Sequence, residues 1–318
     1  MSAGSGFRPV DGGDAFPVSQ ETVVLLGLGL IGGSLALALR KTGRYRVIGI
    51  DRDSGTTAAA LEAGAIHRAG TAEDVSAASL LILAVPPRAA IAFLEENAAR
   101  LTAGTVVTDV CGVKAAVVTA CSPLCRQAGA VFVGGHPMAG KEISGFGAAD
   151  GDLFRGASYL LTPQVDTPAA AVERVERLAK EIGCARVTVT TPEHHDRQIA
   201  FTSQLPHVLA GAYVKSPRCP DHKGYSAGSY RDVSRVAPVD ENLWSELFLL
   251  NREPLCEEID QLILHLCQCR DAVAAGDEKR LRDVLREGRK IKQRVDAPAQ
   301  GNGEKTDEPN DGAHGETL

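Results

Sequence analysis

Residues 21–39 read ETVVLLGLGLIGGSLALAL. Glu21 to Leu26 is β-branched and apolar, as a buried strand should be. Gly27, Gly29 and Gly32 follow as G-x-G-x-x-G, with Leu30 and Ile31 filling the last gap, and Gly33 to Leu39 continues with helical character. Alone the glycine pattern is weak, but here it stands between strand and helix. The first glycine permits the tight turn and the second lets the backbone approach a pyrophosphate. The third lets helix and strand pack closely, with the helix N-terminus facing the anion. Gly27, Gly29, Leu30, Ile31 and Gly32 are therefore candidate contacts to a dinucleotide. A flavin site or a decayed site is the competing account.

A second strand, Arg46 to Ile50, ends at Asp51. That carboxylate lies at about the 20-residue offset where an acidic side chain meets a ribose diol. It would repel a 2′-phosphate, which favours NAD over NADP, although Arg46 and Arg52 stand near enough to blur the distinction. Further on, Leu80 to Val85 is fully apolar, as a central parallel strand should be, and ends at Pro86. Thr105 to Asp109 is the next strand. Val131 to Val133 follows and delivers His136 into a loop rich in Gly, Pro and Ser. Pro86, Asp109 and His136 thus share the edge at which open α/β sheets bind ligands. An imidazole there titrates near working pH, which suits proton transfer; the competing account is a histidine that merely caps a turn. Ser158 to Thr162, an amphipathic helix over Pro168 to Ile182 and Arg186 to Thr190 complete the alternation. The fold class is α/β, a Rossmann-type mostly parallel sheet over residues 20–190.

From Thr191 helical patterns replace the alternation. Thr191 and Pro192 form a helix start. Pro206 should kink the helix that carries Ser203, Gln204 and His207. Apolar stripes at Leu255, Ile259, Leu262, Ile263, Leu266 and Val273, and at Leu281, Val284, Leu285 and Ile291, need a further helix layer or a partner subunit to cover them. Residues 191–296 thus read as an all-helical second domain. Residues 1–19 read as a flexible leader, and 297–318, polar and poor in apolar residues, as a disordered tail.

Composition narrows the function classes. The chain has 318 residues, 44% hydrophobic and 23% charged, with a formal net charge of -6. That balance gives no reason to expect nucleic acid or an anionic membrane as a partner. No apolar run reaches the roughly 20 residues of a membrane span. The 8 cysteines are scattered without a C-x-x-C pair. They suit reduced thiols in the cytoplasm better than a disulfide framework, and no metal site is expected.

Taken together, the motifs are specific. GLGLIGGS at 27–34, TDVCGVK at 108–114 and HPMAGKEISG at 136–145 lie in the first part. DLFRGASYLLTP at 152–163 and HHDRQIAFTSQLPHVLA at 194–210 follow, then YRDVSRVA at 230–237, and Leu243-Trp244 with Asn251. In these the chain resembles the prephenate and arogenate dehydrogenases of tyrosine biosynthesis, over roughly Val23 to Ile291. The resemblance implies an NAD-binding domain followed by an all-helical dimerisation domain, hence a homodimer. It implies oxidation of a cyclohexadienyl alcohol with loss of the ring carboxylate, giving 4-hydroxyphenylpyruvate from prephenate or tyrosine from arogenate. Prephenate is the expected substrate, and any tyrosine inhibition should act at the active site or the dimer.

By the same resemblance His136 matches the catalytic histidine, and Arg235 the arginine that holds a substrate carboxylate. His207 and Ser203 match substrate-side residues, and Glu142 a gating acid at the pocket mouth. The competing accounts are a core histidine for His207, a surface carboxylate for Glu142 and an Arg235–Asp232 salt bridge. Two departures stand out. Gly112 occupies a substrate-side position where many members carry serine, so that water or Cys111 would have to substitute. Gln204 stands where a histidine is usual. A β-hydroxyacid dehydrogenase would need a catalytic lysine, for which only Lys215 and Lys223, in a Pro-rich loop, are near. A non-enzymatic NAD-sensing module would not require His136 and Arg235 together.

Overall fold

The computed structural model describes residues 21–297. The expectations for 1–19 and for the stretch beyond 297 lie outside them. The described chain packs as two units, one running to Ile259 and the other starting at Asp260.

The first unit contains one eight-stranded sheet. Its strands are β1 (Glu21–Leu26), β2 (Tyr45–Ile50), β3 (Arg68–Ala69), β4 (Leu80–Leu83), β5 (Val106–Asp109), β6 (Val131–Pro137), β7 (Ser158–Thr162) and β8 (Arg186–Val189), in the spatial order β3-β2-β1-β4-β5-β6-β7-β8. Strand order reverses between β1 and β4, which opens a crevice beyond their carboxyl ends. Alternate residues feed two cores. Val23, Leu25, Leu80 and Ile82 pack with α1 (Leu30–Thr42) and α5 (Ala169–Glu181) on one face. Val24, Leu81, Leu83 and Val107 pack with α3 (Pro87–Asn97) and α4 (Ala115–Gln127) on the other. The period-2 alternation of the pleat thus places every apolar residue of a central strand in one core or the other.

β6 is longer than the strand beside it. Val131 to Val133 pair with β5 in parallel. Gly134 to Pro137 instead pair antiparallel with β7, which lies parallel to β8. His136, opposite Leu160, therefore belongs to the strand itself, three residues beyond the last β5 pairing at Val133. That is a projection of about 10 Å at 3.3 Å per residue.

The unit continues with α6 (Pro192–Ile199), a π-helical turn over Ala200–Gln204, and α7 (Leu205–Tyr213). Thr191 caps α6 by accepting from the His194 N–H. The irregularity expected at Pro206 appears as the π turn just before it, since the proline at the second position of α7 cannot donate a backbone hydrogen bond. Then come α8 (Gly228–Ser234), α9 (Glu241–Leu250) and the start of α10 (Arg252–Ala274). In the second unit, the end of α10 turns at Gly276 into α11 (Glu278–Asp296), capped by Asp277. Ile263, Leu266, Val273, Leu285 and Ile291 are exposed there. Among the described residues, no helix is long and apolar enough to cross a membrane. All 8 cysteines are free thiols.

Candidate active site

The glycine loop opens the crevice. Gly27 has φ +87°, and a Cβ there would lie 2.4 Å from the Ala84 carbonyl oxygen. A Cβ at Gly32 would lie 1.9 Å from the Gly27 oxygen, whereas one at Gly29 meets nothing within 4 Å. The loop is thus tight beneath and open above Gly29. No side chain caps the N-terminus of α1, whose first N–H groups have no partner within the helix. Asp51 Oδ2 accepts from the Leu28 N–H at 2.7 Å and Oδ1 from the Asp53 N–H at 2.9 Å. This locks the carboxylate beside the loop with lone pairs to spare for a ribose diol. An uncapped helix end, an open glycine and an oriented carboxylate fit a dinucleotide. Leu30 and Ile31 are partly exposed in the first turn of α1, and Pro86, exposed, precedes α3.

Past Val133 the ladder pairing of β6 with β5 stops, and side chains hold the projecting end instead. Asp109 Oδ1 accepts from the Gly135 N–H at 3.1 Å, and Lys114 Nζ donates to the Gly135 carbonyl at 2.6 Å. Lys114 and Asp109 also pair with each other, both side chains being fully buried. Asp109 Oδ2 further accepts from the Cys111 N–H at 3.0 Å. An ion pair enclosed in this way holds the backbone immediately before His136.

His136 Nδ1 lies 2.9 Å from His195 Nε2, and His195 Nδ1 lies 2.8 Å from Asp196 Oδ1. Asp196 in turn accepts from the N–H groups of Lys114, at 2.7 Å, and Ala115, at 2.8 Å. Asn251 Nδ2 donates to the Asp196 carbonyl at 2.9 Å and to Gln204 Oε1 at 2.8 Å. Gln204 is thus a buried tie between helices. Burial, with the nearby His195 and the Lys114 charge, holds the His136 imidazole well below its ordinary range, so it is neutral near pH 7.

Gly112 is partly exposed, and a Cβ there would sit 3.7 Å from the Leu247 side chain. That is room enough for a small side chain. Cys111 cannot stand in for one. Its thiol is buried and directed at the Val85 carbonyl, 3.5 Å away. Burial and the charge of Asp109 push it far above the ordinary thiol range.

Arg235, Glu142 and His207 lie near one another in a second cluster. Arg235, the C-cap of α8, pairs with Glu142 rather than with Asp232; the two side chains are 61% and 51% exposed. The Glu142 backbone N–H and Arg235 hold the Glu142 carboxyl below its usual range. His207 Nδ1 donates to the Val236 carbonyl at 2.8 Å, and its ring lies 3.8 Å from that of Trp244. Burial lowers the His207 pKa, and Arg235 lowers it further. Ser203 lies partly exposed on the π turn. No hydrogen bond or ion pair among the described residues joins this cluster to His136.

His195, Asp196 and Lys114 carried no role in the sequence. The available signals were a lysine in the apolar run Gly112-Val113-Lys114-Ala115 and an Asp next to a His on a capped helix. Neither identifies a partner 59 residues away in sequence, as His195 is from His136.

Two family models match. "Prephenate dehydrogenase, nucleotide-binding domain" covers residues 35–189, and "Prephenate dehydrogenase, dimerization domain" covers 191–287. A prephenate dehydrogenase from Bacillus subtilis (strain 168) is 34% identical over 82% of this chain and 72% of its own. A cyclohexadienyl dehydrogenase from Zymomonas mobilis is 32% identical over 85% of this chain and 94% of its own. A crystal structure of prephenate dehydrogenase from A. aeolicus, in complex with hydroxyphenyl propionate and NAD+, superposes with a TM-score of 0.79 at 27% identity, covering 88% of this chain and 99% of that one. The cofactor suited to the cradle at Gly29 and Asp51 is NAD. With matches to both halves of its described length, the chain belongs to the prephenate dehydrogenase family of NAD-dependent dehydrogenases.

Proposed function

We propose that the chain oxidises prephenate with loss of its ring carboxylate, giving 4-hydroxyphenylpyruvate, with residues 20–190 binding the dinucleotide and 191–296 the substrate. The observation that carries this is His136: a neutral imidazole, partly exposed, on a strand end that projects past the sheet edge where the glycine loop opens. NAD, when bound, accepts hydride from the alcohol carbon. His136 accepts the hydroxyl proton as the C–O bond becomes a carbonyl. The bond to the ring carboxylate then breaks, its electron pair passes through the ring to the carbonyl oxygen, CO2 leaves, and that oxygen takes back the proton held on His136. Aromatisation drives this step, so no further acid is needed from the protein. The test is the appearance of NADH when prephenate is added, compared with arogenate, each with NAD and NADP. No NADH with either substrate would end the proposal. A faster rate with arogenate would favour the broader specificity suggested by the cyclohexadienyl relative.

Arg235 is the candidate clamp for a substrate carboxylate, and Glu142, its partner in the structure, occupies the place such a carboxylate would take. Arg235→Ala is expected to raise KM for the cyclohexadienyl substrate roughly 10- to 100-fold, the worth of one charge-assisted hydrogen bond. The kcat should change little; an unaltered KM would return Arg235 to a structural role. His207, Ser203 and the open position at Gly112 complete the substrate side in this proposal. It includes a homodimer through the helical region, consistent with the exposed apolar residues on α10 and α11. A monomeric mass by sedimentation at micromolar concentration would remove the dimer.

A further inference from the structure

His136 begins a line of polar contacts that ends on main-chain donors, and the line has a direction. Its far end is fixed first. The N–H groups of Lys114 and Ala115 can only donate, so both Asp196 oxygens accept. Asp196 Oδ1 also faces His195 Nδ1 at 2.8 Å, so that nitrogen carries a proton. Burial holds His195 below the ordinary imidazole range, though its bond to Asp196 opposes this. A neutral ring protonated at Nδ1 has a bare Nε2. That bare nitrogen lies 2.9 Å from His136 Nδ1, which must then be the donor. His136, itself neutral, has one N–H, and it is spent on His195.

We infer that His195 and Asp196 are positioning residues that hold His136 in its Nδ1–H tautomer, leaving the Nε2 lone pair free as the base. The inference rests on the reading of His136 as the proton acceptor. His195 is 1% exposed and cannot itself touch substrate. A free histidine side chain favours the opposite tautomer, which would put a proton where the base needs a lone pair. When Nε2 takes the substrate proton, the positive charge spreads to Nδ1–H, and its bond to His195 Nε2 becomes charge-assisted. The charged groups around this line are Lys114, Asp109 and Asp196. With glycine at 112, no side chain at that position helps to orient the imidazole.

The test uses the full-length enzyme. In wild type labelled with ¹⁵N-histidine, His136 should appear as the Nδ1–H tautomer; an Nε2–H tautomer overturns the inference. His195→Leu should lower kcat about 10²-fold with KM values little changed, and should shift His136 towards Nε2–H. Loss of the group that fixes a serine-protease imidazole costs about 10⁴, and His136 could still visit the competent tautomer. His195→Gln places an amide oxygen near the lost Nε2 and should recover about tenfold of that loss. Unchanged kcat in His195→Leu, or equal losses in the Leu and Gln variants, overturns the inference. Full activity in His195→Leu beside an inactive His136→Ala removes the positioning role alone. Full activity in His136→Ala removes the base as well.

Discussion

His136→Ala is expected to lower kcat by about 10² to 10⁴, the usual worth of a positioned general base. The KM for NAD should stay near wild type, because the cradle at Gly29 and Asp51 is built on other strands. The pH profile should agree. In the proposed mechanism the base works as a neutral imidazole, so activity should be lost as pH falls through its pKa. Burial, His195 and Lys114 place that pKa well below the ordinary 6.5. The acid limb of kcat/KM should therefore lie on the acid side of 6.5 and vanish from the residual activity of the alanine variant. Unchanged turnover in that variant, or an acid limb that survives the substitution, would take His136 out of the chemistry.

The largest loss of stability should follow Lys114→Met. The substitution removes one half of a fully buried ion pair and leaves the Asp109 charge with no counter-ion. It also deprives the Gly135 carbonyl of its 2.6 Å donor. Breaking a buried pair from one side costs about 3–5 kcal/mol, or a fall in Tm on the order of 10 °C for a domain of this size. Combining it with Asp109→Asn, which removes the orphaned charge, should recover part of the loss. Thermal melts of the two variants check this. A single variant within about 0.5 kcal/mol of wild type would mean that the pair is dispensable. Activity should fall alongside stability, since Gly135 directly precedes His136 in β6.

How much of this was legible in the sequence depended on range. β1, its glycine turn and α1 were readable because their signals are local: β-branched residues, three glycines at fixed spacing and a helical run, all within 21–42. An apolar run led to His136 but placed it in a loop rather than on the strand that carries it, and its candidate role came from the family resemblance, not from the run. The antiparallel pairing of β6 with β7 was not legible, since the 20 residues between Pro137 and Ser158 carry no signal of strand direction. His195 and Asp196 could not be joined to His136 because nothing in a helix start announces which strand its side chains will meet. Arg235 illustrates a further limit. Its nearest acid in sequence is Asp232, yet it pairs with Glu142, 93 residues away, because the 138–149 loop and the end of α8 meet only in the folded chain.

The mounting of the candidate base on a doubly anchored strand, with Arg235, His207 and Glu142 on helices and a loop, separates two kinds of evolutionary change. If the proposed roles hold, substitutions in the loop and helices would retune which side chain of a cyclohexadienyl acid is admitted while the candidate base keeps its place on β6. Lineages on such a framework would diverge in substrate preference more readily than in reaction type.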